Sequence, residues 1–392
     1  MKQKISLLLK NMLFILLIAL LFFPCLLTAQ ITGKDITVGK AIQLHSNVLN
    51  EDRNIYVYTP VDHNTSQHRY PVLYVLDGNG SFFFSLAIAN FLSRNSRMPQ
   101  SIVIGIPNTN RMRDFTPTVD EQTPGSGGAD KFLEFLEDEL IPYIDQHYKT
   151  HPFRILYGHS LCGMFSIYTL FTRPDLFKAH IAVSPYLQYD NEYVIKKVKS
   201  ILEKKSVFDN YLYITVGDEP DYLTSLNKFI TLLENNAEKL QWLCYQKENE
   251  DHGSVPLKSV YDGLEFIHSD WLLPNDVALQ GIESIKKYYA GLHQKYGNVI
   301  EISEVFLNTL GYQFMQHGFL EKAIDVFKYN VELYPNSANV YDSLGEGFET
   351  NNQFKLALKN YHKAVELGEK TSNPNTKIYQ EHIERIQEKI NN

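Results

Sequence analysis

A serine becomes a useful nucleophile only when its hydroxyl is held clear of its own backbone and beside a base. Residues 154–165, RILYGHSLCGMF, offer such a place. A run of strand formers leads into Gly158-His159-Ser160-Leu161-Cys162-Gly163, and an apolar, helix-like stretch follows. Glycine two places before the serine suits a sharp strand-to-helix turn in which backbone and helix crowd together. The pattern departs from G-x-S-x-G, because Cys162 stands where the second glycine belongs and Gly163 comes one place late. Cysteine is the next small option and crowds the turn without filling it. Ser160 is therefore a candidate nucleophile for acyl transfer. The N–H of Leu161, immediately after it, is a candidate donor to the oxyanion that such chemistry creates.

A base and an acid must follow. His180 lies in a strand-like run and His268 in the helical run SVYDGLEFIHSDW, whereas His252 sits in the loop NEDHGSVP, after LQWLCYQ and before a helical stretch. A loop lets an imidazole swing onto the serine, so His252 is the candidate base. With an elbow serine the chain order is serine, acid, histidine. The acid should then follow YLYITVGDEPDY, where Asp218, Glu219 and Asp221 all qualify by position. Arg111 and Arg113 in NTNRMRDFTPT could hold an anionic or polyhydroxylated substrate, or pair with Asp114. No H-E-x-x-H or comparable ligand spacing occurs, and neither a metal nor a cofactor is expected.

The elements that would position these residues are legible from periodicity. RNIYVYTP, PVLYVLDG, SIVIGIP, RILYGHS, AHIAVSP and YLYITVGD are short runs of β-branched and aromatic residues that end in turn formers. Between them lie amphipathic stretches such as DKFLEFLEDELIPYIDQHY and YLTSLNKFITLLENNAEKL. Near-continuous apolar strands alternating with helices predict a mostly parallel sheet covered on both faces, over residues 30–275.

After Pro274 the strand signals stop, and residues 276–392 read as an all-α domain. Leu310-Gly311 recurs as Leu344-Gly345, Ala323 as Ala357 and Phe327 as Tyr361, each pair 34 residues apart. The period and the pattern resemble the tetratricopeptide repeat, with Pro335 closing the first copy and Glu369 in its place in the second. GIESIKKYYAGLHQKYG is expected to add a helix against the first repeat, and NTKIYQEHIERIQEKI to cap the other end.

At the N-terminus, Lys2, Lys4 and Lys10 precede the apolar run Met12 to Leu27, which ends at Thr28-Ala29-Gln30. That order predicts a secretory signal peptide over residues 1–29, cut beside Ala29, and a periplasmic or secreted mature chain. Only Cys162 and Cys244 would remain after cleavage, and both lie in apolar surroundings, so no disulfide framework is expected. A formal net charge of −8 over 392 residues argues against nucleic acid as a partner.

YPVLYVLDGNGSFF, VIGIPNTNRMRDFTP, YGHSLCGMFS, VGDEP and HGSVPLKSVYDGL together resemble the putative-esterase family of α/β-hydrolases, which includes esterase D, ferric enterobactin esterases and mycolyltransferases. The matching stretches run through nearly all of residues 42–271. The resemblance implies an α/β-hydrolase fold followed by the helical-repeat domain, with Ser160 as nucleophile and His252 as base. It favours Glu219 as the acid, because members related to the enterobactin esterases carry a Glu-Pro segment after the acid strand. It places the second oxyanion donor at Asn79. The implied reaction is hydrolysis of a small-molecule carboxylic ester, a siderophore or an acylated carbohydrate among the options, through an acyl-enzyme. An acyltransferase on the same site and a binding scaffold recruited through the repeats are the alternatives. The repeat domain would hold a protein or peptide partner, or a second copy.

Overall fold

The computed structural model describes residues 37–204, 207–297 and 302–391; the segment expected to be a signal peptide lies outside them. Eight strands form one sheet in the order β1-β2-β4-β3-β5-β6-β7-β8. They are β1 (Lys40–Ser46), β2 (Glu51–Tyr58), β3 (Tyr70–Leu76), β4 (Ile102–Ile106), β5 (Thr150–His159), β6 (Ala179–Val183), β7 (Tyr211–Val216) and β8 (Gln241–Gln246). β1 pairs antiparallel with β2, and β2 antiparallel with β4; every other pairing is parallel. This is an α/β-hydrolase-like fold. β1 was not among the runs the sequence announces; its residues alternate between exposed and half-buried at the sheet edge, which blurs the apolar signal.

β3, β4, β6 and β7 are buried along their whole length. Side chains alternate between the two sides of a strand, so continuous apolar sequence requires cover on both. Val72, Tyr74 and Leu76 face a core shared with helices α3 (Ala129–Glu134), α5 (Leu161–Thr172), α6 (Tyr189–Leu202) and α7 (Pro220–Asn236). A turn of π-helix (Phe135–Leu140) and α4 (Ile141–His147) continue α3 on that side. Leu73 and Val75 face the other core, built with α1 (Gly78–Arg94) and α8 (Val255–Ile267). The short α2 (Arg111–Phe115) follows β4.

Beyond the sheet the chain is helical throughout the described residues: α9 (Asn275–Gln280), α10 (Ile282–Tyr296), α11 (Glu304–Gln316), α12 (Leu320–Leu333), α13 (Ala338–Thr350), α14 (Phe354–Thr371) and α15 (Thr376–Asn391). The 34-residue spacing has a packing cause. A Cβ on Gly311 would lie 2.3 Å from the Phe327 ring, and one on Gly345 would lie 2.5 Å from the Tyr361 ring. Ala323 and Ala357 are both fully buried. Each glycine therefore lets one aromatic of the next helix lie against the backbone.

α10 joins the two regions. Its Ile282 and Ile285 belong to the helical core, while Leu292 and Tyr296 belong to the sheet core. Tyr296 is fully buried, packs edge-on against Phe153 at 4.8 Å and donates to Asp270 at 2.7 Å. The helix expected against the first repeat also completes the sheet's core, because Leu292 and Tyr296 share its inward side while His293 and Gln294 between them stay exposed.

Candidate active site

Ser160 sits directly after β5 and before the first turn of α5, with φ 61° and ψ −118°. Non-glycine residues seldom hold a positive φ, and here three hydrogen bonds impose it. Ser160 N–H donates to Val183 O at 2.8 Å, and Ser160 O accepts from Met164 N at 3.0 Å and Tyr186 N at 3.1 Å. A Cβ on Gly158 would stand 2.1 Å from Cys162 O, so only glycine fits there. Gly163 is where helix and sheet touch, since a Cβ on it would meet Val183 O at 2.8 Å. The late glycine thus serves close packing. Cys162 points into the core, fully buried, and burial pushes its thiol well above the ordinary pKa. Cys162 and Cys244 are both free thiols.

The acid loop follows β7, and the histidine loop follows β8. They are laced together: Asp218 N–H donates to Glu250 O at 2.6 Å, and a Cβ on Gly217 would collide with that same carbonyl. Of the three candidate acids, Asp218 and Asp221 are exposed, and only Glu219 is buried. Glu219 Oε1 accepts from His252 Nδ1, while Oε2 accepts from the Ser184 hydroxyl and from Gly217 N–H at 2.8 Å. Desolvation pulls the Glu219 pKa up, but hydrogen bonds from Ser184, His252 and Gly217 outweigh it and leave the carboxyl below its usual value. It is an anion aimed at one imidazole nitrogen.

The His252 ring lies 4.4 Å from that of His159, the residue before Ser160, and 5.2 Å from that of Tyr222. Tyr222, in the first turn of α7, interacts with Ser160, and burial keeps its phenol protonated with a raised pKa. Burial and the neighbouring His252 lower His159 to about 4, so it stays neutral near pH 7. The candidate nucleophile, acid and histidine therefore occupy loops at the carboxyl ends of β5, β7 and β8, where open α/β sheets hold their sites.

Asn79 and Leu161 each fall in the first turn of a helix, α1 and α5, where backbone N–H groups lack intrahelical acceptors. The Asn79 side chain is exposed and accepts from Asn108 N at 3.3 Å. Arg111 is drawn to Asp77, with Nε 3.1 Å from both carboxylate oxygens, and Nη2 reaches His159 O at 3.4 Å. Arg113 pairs with Asp114 and Glu51, each at 2.7 Å. Arg111 thus braces the elbow through Asp77, and the pairing with Asp114 falls to Arg113.

Sequence reading passed over Ser184 and Tyr222. A topological signal for Ser184 existed: β6 lies between β5 and β7, so the residue that follows it must stand between the loops carrying Ser160 and Glu219. Among the described residues, Asp342, Glu346 and His382 bring ligand-type atoms within 4.8 Å of one another. They lie on α13 and α15, and His382 Nδ1 is engaged with Asp342 at 2.8 Å.

The "Putative esterase" family model matches residues 46–252. The chain belongs to that family. It is a carboxylic ester hydrolase. It is 26% identical over 249 residues to the siderophore triacetylfusarinine C esterase of Aspergillus fumigatus, covering 54% of this chain and 85% of that one. It is 32% identical over 149 residues to the ferri-bacillibactin esterase BesA of Bacillus subtilis, covering 33% of this chain and only about half, 52%, of that relative. Among solved structures, an IroE-like serine hydrolase from Shewanella oneidensis superimposes with a TM-score of 0.64 at 25% identity, over 75% of this chain and 99% of that one. No helix among the described residues of this esterase is long and apolar enough to cross a membrane.

Proposed function

We propose that this esterase cleaves ester-linked siderophores through a Ser160–His252–Glu219 triad. The observation that carries the triad is the Glu219 carboxylate, buried and directed at His252 Nδ1 beside a serine held at positive φ. With its Nδ1 proton donated to Glu219, the neutral imidazole presents a basic Nε2 for the Ser160 proton. The serine oxygen attacks the ester carbonyl, and the tetrahedral oxyanion is stabilised by the Leu161 N–H and a donor at Asn79. His252 returns its proton to the leaving alcohol, leaving an acyl-serine. Water, deprotonated by the same nitrogen, then releases the carboxylic acid and restores Ser160.

The siderophore assignment is supported by the relatives, which are named for such esters. The basic-apolar-small order of residues 1–29 supports export to the periplasm or beyond. The 34-residue recurrence of the Gly311–Phe327 contact as Gly345–Tyr361 supports a tetratricopeptide-like region, whose paired helices offer a surface to a peptide or a second copy.

The test is a panel of purified esters: a cyclic catecholate trilactone, a fusarinine-type hydroxamate ester, a feruloylated sugar and p-nitrophenyl butyrate. Siderophore esters should show the highest kcat/KM, and Ser160→Ala should abolish turnover of all four while the fold is retained. A preference for the feruloylated sugar would overturn the substrate assignment. A fully active Ser160→Ala variant would overturn the mechanism.

A further inference from the structure

Resting on the triad reading above, we propose that Ser184 is a positioning residue, the group that fixes which oxygen of Glu219 faces His252. Ser184 directly follows β6, between the nucleophile and acid strands in the sheet. It is fully buried and held at φ 41°, a conformation that L residues seldom adopt, with its N–H donating to Thr215 O at 2.6 Å. That backbone geometry directs the hydroxyl onto Glu219 Oε2.

The consequence follows from counting donors. A carboxylate can turn about its last side-chain bond, a broad and weakly restrained rotation. Two donors on Oε2, the Ser184 hydroxyl and Gly217 N–H, fix that rotation and leave Oε1 for the imidazole. Gly217 lies on the same loop as the acid and moves with it, so it cannot anchor that loop to the rest of the sheet. Ser184 follows a different strand and is the tie between the acid and the scaffold around the nucleophile. Removing its hydroxyl leaves the carboxylate charged but poorly aimed, which should slow proton transfer without touching the bound ester.

The experiment measures kcat and KM on a soluble ester for Ser184→Ala and Ser184→Gly, alone and combined with Glu219→Gln. The glycine variant also lacks the hydroxyl but accepts the positive φ, so it separates the hydroxyl from backbone strain. Hydrogen bonds to charged groups are strong enough that each single variant should lose about 10- to 100-fold in kcat, with KM within about threefold. Adding either change to Glu219→Gln should cost nothing further, because the oriented carboxylate is already gone. Single variants within about threefold of the parent, beside an impaired Glu219→Gln, would overturn the role of Ser184 and leave the triad standing. An equal loss in the Glu219→Gln background would show that Ser184 acts elsewhere, and would also overturn it. A fully active Glu219→Gln would instead remove the triad on which the proposal rests.

Discussion

Glu219→Gln changes one atom, and the structure states where that atom must go. Oε2 receives two donors, Gly217 N–H at 2.8 Å and the Ser184 hydroxyl. An amide NH2 placed there would face a backbone N–H that cannot turn away, so the amide oxygen takes that position. The NH2 then points at His252 Nδ1, which must accept instead of donate. The ring proton moves to Nε2, the nitrogen that should remove the serine proton. In well-studied triads this tautomer error costs about 10^4-fold, or about 5.4 kcal/mol of transition-state stabilisation. The expected outcome is therefore a kcat loss near 10^4-fold with KM nearly unchanged, measured at pH 7 on an activated short-chain ester. Asp221→Asn, in the exposed first turn of α7, should stay within about threefold. Loss of less than tenfold in Glu219→Gln, or a larger loss in Asp221→Asn, would refute the reasoning.

Cys162→Gly should keep kcat/KM within about threefold and cost roughly 1–2 kcal/mol of stability, for a buried side chain lost and a glycine added to a helix; a tenfold activity loss in a folded protein would give the thiol a role. Stopping the chain after Pro274 removes Tyr296 and Leu292 from the sheet core and should cost at least the ~3–5 kcal/mol of a lost core aromatic. Stopping after Gly297 should preserve the fold and leave kcat/KM on a small ester within tenfold, as thermal melts and kinetics would show. His268 is buried between the Phe153 and Tyr296 rings, and burial lowers its pKa to about 3. Between pH 6.5 and 3 the unfolded chain binds a proton there that the folded chain refuses, so stability falls as pH falls, by about 1.4 kcal/mol per unit. His268→Phe should reduce the measured slope by that amount in urea titrations from pH 6.5 to 4.5, leaving the share of His159 and of the buried His180, whose pKa values burial also lowers; an unchanged slope would show that His268 does not contribute.

The sequence by itself determined the alternation of strands and helices, the elbow and the chain order of serine, acid and histidine. These are local facts, carried by periodicity and by residue types at turns. It also exposed the 34-residue recurrence, because a glycine facing a ring recurs wherever the same helix pair is built. The choice of acid was different. Asp218, Glu219 and Asp221 are equivalent by position, and the structure separates them by burial, since the turn at Gly217, packed against Glu250 O, folds Glu219 inward and leaves both aspartates in solvent. The partners of Arg111 and Arg113 were likewise undecided until β2 brought Glu51 to Arg113 and the β3 turn brought Asp77 to Arg111. Ser184 could not be singled out from its neighbours in AHIAVSP. Its importance comes from β6 standing between β5 and β7, and strand order is a property of the assembled sheet. Tyr296 shows the same limit: a tyrosine at the end of an amphipathic helix reads as surface, and only the docking of α10 on Phe153 makes it core.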